Sequence, residues 1–309
     1  MTSLFRRTAA SFVAVAALVF AGAAVPASAA PPSPLNYVNF GDSYSAGWGA
    51  EPFVLPPAVN PDLQVPTCRI GGRPDQVTKF SRLNSVSLQG DYACAGATIG
   101  APTDPNFPVP TIGQQIGKAA LDGTLNASTD IVTLTAGGND VGFVKFVETC
   151  AADTTPTAVE CQAFAKAGDT AADNLAVQAT IDEIHQVAPH AEVAWIGYPH
   201  IFALAGEPTT VLPGGGVMSA AAAAVFDAAT TTLNETLAKK VGAADHAMFV
   251  DVTAKFTGHE VGSSDSWFAL FAPSDPRSRF NLHPTTTGYA EGYFPAMVSQ
   301  IKPAQLVRR

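Results

Sequence analysis

The sequence predicts an α/β fold in which helices cover both faces of a parallel sheet. Short apolar, β-branched segments alternate along the chain with helical stretches, which is the pattern of such sheets. The segment 130–136 (DIVTLTA) is apolar enough for a central parallel strand that is buried on both faces. The sequence has neither internal repeats nor a linker that would separate a second domain.

The predicted elements follow one another in a regular order. Residues 35–40 alternate in polarity and predict the first strand, which runs directly into Gly41-Asp42-Ser43. The Pro-rich segment 51–80 predicts an irregular excursion. The remaining predictions are strands at 130–136, 192–197 and 247–252, helices at 158–187 (broken near Gly168), 219–241 and 286–302, and a loop with three consecutive glycines at 208–216.

The first thirty residues have the features of a secretory signal peptide. Arg6 and Arg7 form a basic start, residues 12–25 are apolar, and 27–30 (ASAA) offers small residues for cleavage. A retained N-terminal anchor is the alternative. We therefore expect a signal peptide at 1–30, a single domain at 31–309, and a secreted protein.

Charge and hydropathy exclude several classes of partner. The formal net charge is −9, and an acidic surface disfavours nucleic acid and anionic membrane surfaces. Beyond the signal peptide, the sequence has no segment long and apolar enough to span a bilayer. We expect a monomer without stable membrane insertion.

The four cysteines are Cys68, Cys94, Cys150 and Cys161. An even number in an exported chain predicts two disulfides, and three pairings are possible. We favour Cys68–Cys94 and Cys150–Cys161, since each of these closes a modest loop. A zinc site is the competing interpretation, but the sequence has neither CxxC spacing nor an HExxH motif.

Two polar motifs follow predicted strands. Ser43 comes directly after the first strand, and Asn139 follows the strand at 130–136. Because ligands bind beyond the carboxyl ends of parallel strands, we expect both side chains at one edge of the sheet. On a strand-to-helix turn, Ser43 would face backbone N–H groups that can hold an oxyanion. Taken alone, helix capping by Ser43 and a turn role for Asn139 are the simpler interpretations.

His283 is the best candidate for the base that a serine nucleophile needs. Pro284 forces an extended backbone at this histidine, directly before a predicted helix that could carry it back to the sheet edge. Among the other histidines, only His259 is a rival. Gly96, after a possible strand, could add a further N–H donor, although a plain turn glycine is the simpler interpretation.

These motifs together resemble the four blocks of the SGNH, or GDSL, hydrolase superfamily. The blocks are 40–45 (FGDSYS), Gly96, 137–140 (GGND) and His283-Pro284, in the family's order and across nearly the whole mature chain. The strongest likeness is to secreted actinomycete lipases and esterases. The resemblance implies a flavodoxin-like three-layer α/β/α sandwich with a five-stranded parallel sheet. It also implies ester hydrolysis without a metal or other cofactor, with an oxyanion hole from the N–H groups of Ser43 and Gly96 and the Asn139 side chain.

The sequence departs from this family at the position that often orients the histidine. Many members carry Asp three residues before it, where this chain has Phe280. Some secreted members resemble this chain in using a backbone carbonyl instead, which also fixes the tautomer. We expect the Phe280 carbonyl to orient His283, with the Asn281 carbonyl and the Asp275 side chain as successive alternatives.

The resulting functional prediction is a secreted serine esterase or lipase. Ser43 would form an acyl-enzyme with His283 as base, on acyl glycerols, phospholipids or other acyl esters. The motif GDSYS is not the G-x-S-x-G of α/β-hydrolases. A carbohydrate acetyl esterase, with Trp48, Trp195 or Trp267 as sugar platforms, and a non-catalytic binding protein are the alternatives.

Overall fold

Five parallel strands form the central sheet of the part of the chain that the structure describes. The computed structural model describes residues 33–306 apart from 103, 107, 154 and 204–217. The predicted signal peptide and the predicted glycine loop at 208–216 lie outside these residues. The strands are β1 (Leu35–Gly41), β2 (Val86–Asp91), β3 (Ile131–Thr135), β4 (Glu192–Ile196) and β5 (Ala247–Val250).

Helices connect these strands. In chain order they are α1 (Gln76–Phe80), α2 (Ile112–Asp122), α3 (Phe143–Ala152), α4 (Val159–Asp173), α5 (Val177–Val187), α6 (Ala220–Val241), α7 (Thr253–Phe256), α8 (Phe294–Ile301) and α9 (Pro303–Leu306). A 3₁₀ turn spans Pro276–Phe280, and a π-helical segment spans Gly288–Tyr293.

The strand order β2-β1-β3-β4-β5 explains the layering. The chain moves outward from β1 to β2 and then back across β1 to β3, so right-handed crossovers place α1 on one face and the next helices on the other. In agreement, α1 packs against α8, whereas α2 packs against α5, and α4 and α5 pack against α6. The expected three-layer, flavodoxin-like sandwich is confirmed. The β1–β3 pair at its centre is where the order reverses, and ligands bind at such points.

Two predicted helices differ from the observed ones for local reasons. The predicted helix 158–187 is two helices, and the break lies after Asp173 rather than near Gly168. Asn174 ends α4, and its side chain donates to the Thr170 carbonyl at 2.7 Å. The last helix begins as a π-helical turn before Pro295, because a proline lacks the N–H and crowds the carbonyl that regular α-turns would bring against it.

All four cysteines are paired. The disulfides are Cys68–Cys94 and Cys150–Cys161, the pairing favoured from the sequence, and they leave no thiol for a zinc site. The first disulfide links the Pro-rich excursion to the segment that leads from β2 to Gly96. Among the described residues, no helix has the length and apolarity required to cross a bilayer.

Candidate active site

Ser43 and His283 meet at the carboxyl edge of the sheet. The Ser43 hydroxyl oxygen lies 2.8 Å from Nε2 of His283, although the two residues are 240 positions apart. Both are nearly buried, with 9% and 8% of their surfaces exposed. A hydroxyl at this distance from an imidazole nitrogen can pass its proton to the ring as it attacks a carbonyl carbon.

The chain leaves β1 through a turn that only glycine permits. Gly41 has φ +128°, and a Cβ there would lie 2.6 Å from both the Ser45 hydroxyl and the Thr135 carbonyl. Residues 43–49 then form successive turns, not the helix expected after Ser43. They are closed by hydrogen bonds from Ala46 N to the Asp42 carbonyl and from Trp48 N to the Ser43 carbonyl.

The backbone carbonyl that is hydrogen-bonded to the His283 ring is that of Asn281, with the Phe280 carbonyl as a weaker neighbour. Nδ1 of His283 lies 3.0 Å from this oxygen, whereas the Phe280 carbonyl accepts a long bond of 3.4 Å from the backbone N–H of His283. We expected the Phe280 carbonyl to orient His283, and the structure instead gives this contact to the first alternative, the Asn281 carbonyl. The 3₁₀ turn ends at Phe280, and Leu282 then takes φ +64°, which reverses the chain and brings the Asn281 carbonyl to the ring.

Asp275, the third candidate partner, is occupied elsewhere. Its carboxylate caps the 3₁₀ turn at the Arg277 N–H and pairs with the Arg277 guanidinium at 2.7 Å. The structure therefore places a backbone carbonyl, and not the Asp275 carboxylate, against the His283 ring.

The loop that carries His283 is fixed by backbone and side-chain bonds. Its backbone pairs with Ala269, which accepts from Leu282 N and donates to the His283 carbonyl, both at 2.9 Å. The Asn281 side chain accepts from Phe271 N at 2.7 Å and donates to the Phe271 carbonyl at 2.9 Å. These bonds hold the ring in one orientation without a carboxylate.

Burial makes His283 a neutral base at ordinary pH. Burial lowers the pKa of His283 to about 4, and the Asn281 and Phe280 carbonyls oppose this shift only in part. Nδ1–H donates to the Asn281 carbonyl, so Nε2 carries the lone pair that faces the Ser43 hydroxyl.

The candidate oxyanion donors come from three loops, and the two that carry Gly96 and Asn139 are hydrogen-bonded to each other. Among the described residues, the N–H groups of Ser43 and Gly96 donate to no acceptor. Asn139 donates one amide hydrogen to the Ala97 carbonyl at 2.8 Å, which leaves its second hydrogen for a ligand. The Asp140 carboxylate accepts from two backbone N–H groups just beyond Gly96, those of residues 99 and 100. The N–H groups of Ser43 and Gly96 and one Asn139 amide hydrogen are therefore available to a ligand, and their role as an oxyanion hole stays a prediction.

An apolar cavity of about 50 Å³ lies next to aromatic residues that pack against His283, and neither Ser43 nor His283 lines it. Its walls include Tyr44 and Phe143, whose ring centroids lie 4.9 and 6.1 Å from that of His283. Gly138 borders the cavity, and Gly168 in α4 and Leu233 in α6 lie on its helical walls. Tyr44 and Phe143 therefore connect this apolar space to the His283 ring.

The remaining aromatic and histidine candidates have other contacts. Trp195 is fully buried, and Trp267 stacks against His259 with ring centroids 3.6 Å apart. Trp48 donates from its indole to the Arg279 carbonyl at 2.8 Å. His259 is thus engaged with Trp267 and does not contact Ser43.

Sequence reasoning missed two residues that hold the nucleophile edge. Gln115 in α2 bonds both backbone groups of Gly41, accepting at 2.8 Å and donating at 3.0 Å. Tyr198 follows β4, and its hydroxyl donates to the Asp42 carboxylate at 2.6 Å. The rule that placed Ser43 beyond a strand end also applies to Tyr198, whereas a glutamine within a helix gives no such signal.

The chain is similar to known lipases over most of its length. The chain is 29% identical over 297 residues to a lipase of Streptomyces rimosus, covering 94% of this chain and 96% of that lipase. The crystal structure of an extracellular lipase from the same organism aligns with a TM-score of 0.64 and 25% identity, covering 86% of this chain and 99% of that one. Phospholipase A1 of Streptomyces albidoflavus gives the same TM-score with 27% identity, covering 87% of this chain and 100% of that one. Residues 40–291 match the GDSL-like Lipase/Acylhydrolase family, and the chain belongs to that family of carboxylic ester hydrolases.

Proposed function

We propose that the protein is a secreted serine esterase that hydrolyses acyl esters through an acyl-enzyme on Ser43. The contact of 2.8 Å between the Ser43 hydroxyl and Nε2 of His283 carries this proposal, because it pairs a nucleophile with a neutral base. The complete dyad argues against a non-catalytic binding protein.

The reaction would proceed in two balanced steps. In the first, His283 takes the Ser43 proton while the serine oxygen attacks the ester carbonyl carbon, and the ring then gives this proton to the departing alkoxide. The Ser43 and Gly96 N–H groups and the Asn139 amide hold the negative oxygen. In the second, His283 takes a proton from water while the hydroxide attacks the carbonyl carbon of the acyl-enzyme; the bond from this carbon to the Ser43 oxygen then breaks, which releases the acid, and His283 returns the proton to Ser43.

The apolar cavity that Tyr44 and Phe143 line supports a substrate with a short acyl chain. One water needs about 10–15 Å³ of such space, so 50 Å³ accommodates roughly four groups of that size. Its walls of Tyr44, Phe143 and Phe226 offer apolar contact. Among the described residues of the lining, Asp169 is the one acidic residue, and there is no basic residue that could bind an anionic head group. We therefore assign this cavity to the acyl chain and leave the alcohol group on the open side.

A lipid esterase and a carbohydrate esterase would differ in the alcohol group of the ester that they cleave. The likeness to a phospholipase A1 favours a glycerol-based alcohol. A polysaccharide ester is less well supported, since Trp195 is buried and Trp267 is stacked by His259. The two disulfides, together with the extracellular relative, support secretion after cleavage of residues 1–30.

An active-site probe and a panel of esters test the proposal. A fluorophosphonate should label the wild-type protein at Ser43, identified by peptide mass spectrometry, and should leave Ser43→Ala unlabelled. The panel contains p-nitrophenyl acetate, butyrate, octanoate and laurate, a phospholipid and acetylated xylan. We expect the highest kcat/KM for butyrate; turnover of xylan acetate alone would favour the carbohydrate esterase.

Filling the cavity tests where the acyl chain binds. Gly168→Leu introduces a side chain toward Val141, at a helical position where a Cβ meets nothing closer than 3.8 Å. It should lower kcat/KM for butyrate by about tenfold or more and leave acetate within about twofold. Gly117→Leu, on α2 with no atom within 4 Å of the new Cβ, is the matched control. Equal loss on acetate and butyrate would contradict the assignment.

A further inference from the structure

The Tyr198 hydroxyl joins the two loops that carry the proposed catalytic groups. It donates to Oδ2 of Asp42 at 2.6 Å, and it accepts from the Gly138 N–H at 3.0 Å. Asp42 is the residue directly before Ser43, and Gly138 is the residue directly before Asn139. One buried oxygen atom therefore contacts the neighbour of the nucleophile and the neighbour of the oxyanion donor.

The hydrogen bonds around this oxygen have only one consistent direction. Oδ1 of Asp42 already accepts from the Thr135 hydroxyl at 2.5 Å and from Tyr44 N at 3.0 Å. An ionised carboxylate can only accept, so the phenol hydrogen points at Oδ2 and a phenol lone pair faces Gly138. The chain from the Gly138 N–H through Tyr198 to Asp42 is thus fully satisfied, and bonds to an ionised group are the stronger ones.

The phenol itself is fixed from several sides. The side-chain amide of Asn234 in α6 accepts from Tyr198 N at 3.0 Å and donates to the Tyr198 carbonyl at 2.7 Å. The Tyr198 ring lies edge-on against the Tyr44 ring, with centroids 5.3 Å apart. It also covers the bare Cα of Gly138, where a Cβ would lie 3.2–3.3 Å from the ring and its hydroxyl. The hydroxyl position is therefore set by packing and not by its two bonds alone.

We propose that Tyr198 is a positioning residue that keeps the Ser43 turn and the Asn139 loop at a fixed separation. This inference rests on the proposed function, because it assigns Tyr198 to the geometry of the proposed reaction. The oxyanion forms on the atom that Ser43 attacks, so the Asn139 amide stabilises it only when both loops keep their relative position. Errors of about 1 Å in such geometry can cost as much as 100-fold in rate.

Tyr198→Phe removes the hydroxyl and keeps the ring against Gly138 and Tyr44. We expect kcat to fall by about 10- to 100-fold with KM within about threefold, because an oxyanion donor acts mainly in the transition state. The matched control is Tyr92→Phe. Tyr92 is also buried and its hydroxyl also donates to a carboxylate, that of Asp122 at 2.9 Å, but it contacts neither active-site loop through that oxygen. The control should keep kcat within about threefold.

A double-mutant cycle separates positioning from general loosening of the fold. If Tyr198 acts through the Asn139 loop, Tyr198→Phe should lower kcat far less in an Asn139→Ala protein than in the wild type. General loosening would lower kcat by the same factor in both backgrounds. Additive losses, or equal losses in Tyr198→Phe and Tyr92→Phe, would overturn the proposal.

A second variant disturbs the same contact from the other loop. Gly138→Ala needs no unusual backbone angle, but its Cβ would push the Tyr198 ring. It should reproduce the kcat-selective loss if Tyr198→Phe fails to fold, with Gly117→Ala as the control, and an unchanged kcat would overturn the proposal. Ester turnover by the wild type tests the proposed function separately. An inactive wild type would overturn both the esterase function and the role of Tyr198. An active wild type with an unaffected Tyr198→Phe variant would overturn only the role of Tyr198.

Discussion

The two halves of the dyad are supported in different ways. The turn that carries Ser43 is attached to the sheet, with Asp42 N donating at 3.0 Å to the carbonyl of Thr135, the last residue of β3. The loop that carries His283 reaches the sheet edge from outside it and pairs instead with another loop at Ala269. Tyr44 links the two halves, because its hydroxyl donates to the Leu282 carbonyl at 2.9 Å. The nucleophile is therefore placed by regular structure and the base by irregular structure.

This difference leads to different expectations for mutations. On the nucleophile side, buried polar groups are bonded in a network, so a lost side chain leaves partners without bonds. On the base side, the group that orients the imidazole is a backbone carbonyl, which no side-chain substitution removes.

Removal of either half of the dyad should nearly abolish turnover. Ser43→Ala and His283→Ala should each lower kcat by about 10⁴–10⁶, because a serine hydroxyl without a base is a poor nucleophile. Ester hydrolysis and circular dichroism, measured on the same samples, check activity and folding. The double variant should be no worse than either single one. A folded Ser43→Ala protein with substantial turnover would place the chemistry elsewhere.

Loss of the oxyanion amide should have the next largest effect. Asn139→Ala should lower kcat by about 10²–10³ with a smaller change in KM. Steady-state kinetics on p-nitrophenyl butyrate measure both constants. A change confined to KM would instead assign Asn139 to substrate binding.

The same contrast explains what the sequence could and could not predict. Ser43 and Asn139 follow apolar strands, and the rule that parallel strands end at one edge was enough to expect them together. The choice between the carbonyls of Phe280 and Asn281 depends on the left-handed backbone at Leu282. Leucine rarely adopts this conformation, so the sequence did not predict the turn that brings the Asn281 carbonyl to the ring. Likewise, Gln115 reaches Gly41 from within a helix, and only the packing of α2 on the sheet reveals that contact.

Removal of the Asn281 or the Asp275 side chain, in the segment before His283, should lower kcat only moderately. Asn281→Ala removes the bonds to Phe271 but keeps the carbonyl that faces His283, so we expect roughly a tenfold loss of kcat and a cost of about 1–3 kcal/mol in unfolding free energy. Asp275→Ala should keep activity within about tenfold, since that carboxylate pairs with Arg277. Kinetics and thermal denaturation of both variants provide the comparison. A loss of roughly a thousandfold in folded Asp275→Ala and Asp275→Asn would make Asp275 a triad member.

The pH dependence of kcat should show a separate response from each half of the dyad, one from Asp42 beside Ser43 and one from His283. Burial raises the pKa of Asp42 to about 6, with a further increase from the Asp140 charge and opposing hydrogen bonds from Thr135, Tyr198 and Tyr44 N. Burial lowers the pKa of His283 to about 4. Above both values the site is ready, with an ionised Asp42 and a neutral His283. As the pH falls between them, Asp42 gains a proton while His283 stays neutral.

A protonated Asp42 has a hydrogen to donate where the network needs only an acceptor, so the bond from Tyr198 is disturbed and the two loops loosen. We therefore expect kcat to fall by about tenfold near pH 6 and more steeply near pH 4, where the base itself is protonated. In Tyr198→Phe the upper step should disappear, because its link is already broken, and the lower step should remain. The measurement is kcat at saturating ester in buffers of constant ionic strength, with circular dichroism at each pH to exclude unfolding. If kcat of the wild type stays constant down to about pH 4, only protonation of His283 affects catalysis, and the proposed effect of Asp42 is contradicted.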